Sequence, residues 1–85
     1  MYEYQTERSK LFTAEGQRLF LKIRDQVFIL LEHAGAVRMQ EAIAGESSWE
    51  ALACVDRLVE LGRLREITER GVPGQYRVFV AGRGD

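Results

Sequence analysis

The stretch from Ser47 to Val80 constrains the fold of this 85-residue chain more than any other. It reads as an amphipathic helix, SSWEALACVDRLVELGRL, running directly into a β-hairpin, REITERGVPGQYRVFV. In the helix, Ala51, Val55, Leu58 and Val59, flanked by Leu52 and Cys54, recur at the spacing of one buried arc. Trp49, Ala53, Asp56, Arg57 and Glu60 fall outside that arc, with Glu50 beside Arg57. Ser47 or Ser48 supplies the N-cap, and Gly62 ends the helix. The hairpin strands, Arg65 to Thr68 and Tyr76 to Val80, flank a turn containing Gly71 and Pro73-Gly74, where proline presets φ and glycine supplies a positive φ. Tyr76, Val78 and Val80 alternate with Gln75, Arg77 and Phe79, so one face of the second strand is expected on the core.

A helix and hairpin of this size need a further element to pack on, and the upstream sequence provides it. Thr13 is a plausible N-cap, Glu15 follows where negative charge suits a helix start, and Gly35 is a natural stop, which predicts a helix over 14–34. Leu19, Phe20, Ile23, Val27, Leu30 and Leu31 share one arc, with Arg18, Lys22, Asp25 and Glu32 opposite. Leu21 and Phe28 widen the arc to one side, Arg24 interrupts that flank, and Ile29 projects alone. Ala36 to Arg38 is expected as a short strand against the hairpin, and Met39 to Ala44 as a short helix ended by Gly45.

Residues 1–12 carry Tyr2, Tyr4, Leu11 and Phe12 without clean periodicity and read as an arm or short lead-in helix. The aromatic arm and the wide apolar arc leave two alternatives. Either Tyr2, Tyr4, Phe12, Leu21 and Phe28 meet a second copy in a homodimer, or arm and helix cover one another within a monomer. Residues 81–85 read as a flexible tail.

Composition narrows the functional classes. With 46% hydrophobic and 29% charged residues, the chain fits one modest core rather than a disordered segment. Its longest apolar run, Val27 to Leu31, is far short of the roughly 20 residues of a membrane span. No basic segment leads into an apolar one at the N-terminus, so no signal peptide is read and a cytoplasmic location is expected. One cysteine, Cys54, and one histidine, His33, give neither a disulfide nor a metal cluster. Without a Gly-rich phosphate loop either, no enzyme activity, cofactor or metal is expected.

The order helix, short strand, helix, helix, hairpin over residues 13–80 resembles the winged helix-turn-helix (winged-helix repressor-like) superfamily. Leu61-Gly62-Arg63-Leu64 is similar to the step by which many of its members leave the recognition helix for the first wing strand. The resemblance implies a mainly α fold with a small β-hairpin, three helices plus a two- to three-stranded antiparallel wing, flanked by the arm 1–12 and the tail 81–85. It also implies a transcriptional regulator binding double-stranded DNA, as a dimer reading two half-sites. The matching contacts are Ser47, Ser48 and Trp49 at the helix start, Arg57 on its outer face, and Arg65, Arg70 and Arg77 on the wing.

Charge qualifies that expectation. The net charge is −1, whereas nucleic-acid domains are commonly basic. From Arg63 onward five basic residues face three acidic ones, 5 − 3 = +2; before it, 7 − 10 = −3. The wing is basic and the helix face, with Glu50, Asp56 and Glu60, is acidic. An alternative reading follows, a winged-helix protein–protein interaction module using Trp49, Ala53 and Arg57, since an exposed Trp beside Arg has hot-spot composition. Trp49 could equally fold back over the short helix. Convergence of Arg38, Arg57, Arg65, Arg70 and Arg77 on one face favours DNA; interleaving with Glu50, Asp56 and Glu60 favours a protein partner.

Overall fold

The computed structural model describes residues 1–46, 48–69, 71–72 and 74–83. The fold is mainly helical with a small three-stranded antiparallel sheet. In chain order it comprises α1 (Tyr4–Glu7), a 3₁₀ turn (Arg8–Phe12), α2 (Ala14–Ala34), β1 (Ala36–Arg38), α3 (Met39–Ala42), α4 (Trp49–Glu60), β2 (Leu64–Glu66), a second 3₁₀ turn (Gly74–Tyr76) and β3 (Val78–Ala81).

The long helix lies where capping chemistry places it. The Thr13 hydroxyl accepts from the Gly16 N–H at 3.0 Å, and Gly35 takes the left-handed conformation, φ +76°, while its N–H donates to the Leu31 carbonyl. Ile23 and Val27 are fully buried, and Leu19, Phe20, Leu30 and Leu31 pack around them, as the arc predicts. Helix α3 ends at Ala42, one half-turn before the expected Ala44, and Gly45 reverses the chain at φ +85°.

β1 and β2 both pair with β3, giving the order β1-β3-β2, with Val37 opposite Phe79 and Glu66 also opposite Phe79. The expected short strand at 36–38 is therefore present. The inward face of β3 is the reverse of the one carrying Tyr76, Val78 and Val80: Phe79 is wholly buried, Val78 and Val80 are half-buried, and Tyr76 is exposed. Phenylalanine removes more apolar area from water than valine, on the order of 1.5–3 kcal/mol for a fully buried side chain, so the register that buries it wins. β2 stops at Glu66 rather than Thr68 because the Thr68 hydroxyl replaces the backbone as partner of Val78, accepting from its N–H at 2.6 Å.

The core joins Ile23 and Val27 with Ala51, Cys54, Val55 and Leu58 of α4, Met39 and Ala42 of α3, and Val37, Leu64 and Phe79 of the sheet. Leu11, from the N-terminal arm, belongs to the same cluster. At the other end β3 runs to Ala81, one residue into the segment read as a tail, and the Gly82 N–H donates to the Arg63 carbonyl at 2.9 Å.

Candidate interaction site

Helix α4 was expected to present its polar face outward. Ser48 caps it, its hydroxyl accepting from the Ala51 N–H at 3.2 Å. Beyond the first turn that face is partly covered. α1 and the first 3₁₀ turn both pack on α4. The Tyr2 hydroxyl donates to Asp56 at 2.6 Å, the Tyr4 hydroxyl to Glu60 at 2.9 Å, and the Arg8 guanidinium to both Glu60 oxygens. Ala53, assigned outside the buried arc, is wholly buried. It shares a face with Arg57 and Glu60, four and seven residues further along the helix, and that face meets the arm. The expectation that this face is open at Ala53 is thus overturned, because the helical period describes one helix and the covering layer came from residues with no periodic signal.

The same contacts place the aromatic residues expected at a dimer contact. Tyr2 and Tyr4 bond within the chain to α4, and the exposed Phe12 ring lies beneath the Arg8 and Arg57 guanidinium groups, at 5.0 and 5.3 Å. Leu21 remains exposed on α2, and Phe28 is half-buried with Arg63 5.6 Å from its ring centre. Burial, followed by the bond to Asp56, pushes the Tyr2 hydroxyl far above its ordinary value. Burial and the bond to Glu60 push Tyr4 up to about 12.

Among the described residues, Arg57 and Arg77 are drawn into ion pairs with the chain's own carboxylates. Arg57 pairs with Glu60. Arg77 is directed inward and held by two carboxylates, Asp56 at 2.8 Å and Glu66 at 2.8 Å, with its guanidinium 5.1 Å from the Phe79 ring. A wing strand residue expected to reach phosphate is thus a half-buried clamp between α4 and the sheet. Arg77 in turn holds the Glu66 carboxyl below its usual range. Arg38 and Arg65 are exposed; paired with Val78 and Val80 of the central strand β3, they lie on the same outer face of the sheet, one on each edge strand. Ser47 and Arg70, both expected at the DNA contact, lie outside the described residues, as does Pro73 of the turn.

The start of α4 is accessible. Trp49 is 48% exposed, and with Leu52, Ile43, Ser48, Gln40, Gly74 and Gln75 it lines a groove of about 310 Å³ between the start of α4, the end of α3 and the turn before β3. α3 and the Gly74–Tyr76 turn are in contact, which closes one side. None of the described lining residues is charged. Of the expected patch Trp49, Ala53 and Arg57, only Trp49 contributes. Ile43, Leu52, Gln40 and Gln75 were not assigned to this patch from sequence, because they come together only when α3 meets the hairpin.

Cys54 is buried, and burial pushes its thiol up to about 12, so it stays protonated at neutral pH. Among the described residues no group of His, Cys, Asp and Glu could hold a metal ion, and no helix is long and apolar enough to cross a membrane. No protein family, curated protein or solved structure matches this chain.

Proposed function

We propose that this chain is a winged-helix-like protein-interaction module that receives an apolar side chain of a partner protein in the Trp49 groove. The strand order β1-β3-β2 following a helix, strand, helix, helix succession supports the winged-helix part of the reading. The observation that carries the functional part is the pairing of arginines with the chain's own carboxylates: Arg57 with Glu60, and Arg77 with Asp56 and Glu66. These are two of the cations expected at a phosphate backbone, and releasing Arg77 would strand the partly buried Asp56 and Glu66. On a winged-helix reading, the face of α4 that would meet a major groove is the one on which the arm packs. What remains open is an uncharged, partly apolar groove with an exposed indole, a composition suited to a protein hot spot and poor for phosphate.

Trp49→Ala is expected to keep the fold, because the ring is half exposed, and to abolish recovery of a partner in affinity capture. Unchanged recovery would sink the groove assignment. Labelled duplex DNA, the partner implied by the superfamily resemblance, is the counter-experiment: the reading expects no salt-sensitive binding at low ionic strength. Salt-sensitive binding abolished by Arg65→Glu would replace this proposal with DNA recognition.

A further inference from the structure

The outward face of α2 exposes Leu21, and its residues are arranged symmetrically. Leu21 is 43% exposed and Phe28 is half-buried at its outer edge; they stand seven residues apart, on one seam of the helix. Between them lie Arg24 and Asp25, bonded to each other at 2.9 Å with side chains 38% and 63% exposed. The flanks divide by sign: Arg18 toward the N-terminus and Glu32 toward the C-terminus, both exposed. A two-fold axis between Arg24 and Asp25 therefore relates Leu21 to Phe28 and Arg24 to Asp25, and brings Arg18 within one residue of the level of Glu32.

From this arrangement we infer that α2 is the seam of a homodimer in which two copies pair antiparallel about that axis. Leu21 of each copy packs against Phe28 of the other, and each Arg24 faces the other copy's Asp25 while keeping its own. Parallel pairing would set Arg18, Asp25 and Glu32 against themselves. A self-complementary patch is what an isologous contact requires, and an unrelated partner would have no reason to match this internal symmetry. The seam lies on α2, apart from the Trp49 groove, and does not depend on the function proposed for that groove. Tyr2 and Tyr4 play no part in it, since the arm is engaged with α4.

Sedimentation equilibrium of the full chain at high micromolar concentration is expected to give a dimer. Leu21→Glu should weaken association by about tenfold or more, while circular dichroism and thermal midpoint stay near wild type because the side chain is exposed. Arg24→Asp and Asp25→Arg should each impair self-association, and a mixture of the two variants should form the mixed dimer. A wild-type monomer at these concentrations overturns the proposal. So does a dimer that none of the three variants weakens, or a failure of the two charge variants to associate with each other.

Discussion

At the level of single residues, Arg77 carries the most structural consequence. Its guanidinium reaches Glu66 from the neighbouring strand and Asp56 from α4, with side-chain exposures of 21%, 31% and 13% respectively. Arg77→Met would leave two facing carboxylates without their cation. The expected loss is about 2 kcal/mol, less than for a fully buried pair because all three side chains keep some solvent contact. Urea unfolding at neutral pH measures it. The pH dependence has a definite sign. Glu66 titrates lower in the folded chain than in the unfolded one, so its contribution is present above the ordinary carboxyl range and is lost as pH falls through that range toward the folded value. Wild type should lose stability with acidification there, and Arg77→Met should lose less. Equal slopes would show that the clamp does not hold Glu66. The sequence named Arg77 and its strand, but its direction depended on which face of β3 Phe79 claimed.

Among the elements, the start of α2 shows how closely two segments can be fixed. A Cβ on Gly16 would lie 2.1 Å from the Lys10 carbonyl oxygen and 2.7 Å from the Leu11 Cα, both backbone atoms of the arm's 3₁₀ turn. Gly16→Ala would ordinarily favour a helix interior by about 1 kcal/mol. Here the collision must displace the turn that delivers Leu11 to the core, and the net change is expected to be destabilising by about 1–3 kcal/mol. A raised thermal midpoint for Gly16→Ala would show that the arm does not sit this close. Nothing in the local pattern marks this glycine, since helix caps and periodicity describe α2 correctly without it. Only the approach of a second segment gives it a role.

For the whole molecule, the arm decides what α4 shows to its surroundings. Tyr2 and Tyr4 hold it to Asp56 and Glu60 through neutral hydroxyls, and both titrate above their ordinary value, Tyr4 at about 12. A raised tyrosine pKa gives stability that is complete below the ordinary value near 10 and is lost as pH rises through the folded value. Wild type should therefore lose thermal stability as pH climbs from about 10 toward 12. The Tyr2→Phe/Tyr4→Phe double variant should start lower at neutral pH and lose less over that range. Parallel curves for the two proteins would break the link between arm docking and tyrosine ionisation.

The sequence by itself determined the elements: α2 from Thr13 to Gly35, the start of α4 at its serine cap, the pairing of 36–38 with the hairpin, and the buried arcs of both long helices. Each follows from caps, turns and periods, which act over a few residues. The tertiary structure alone decided that Ala53 is covered, that Tyr2, Tyr4 and Arg8 lie on α4, that Arg77 turns inward, and that Trp49 opens on a groove shared with Ile43 and Gln75. Those outcomes depend on contacts between residues up to 56 positions apart. Competition among distant side chains for the same buried or charged partner leaves no trace in local spacing.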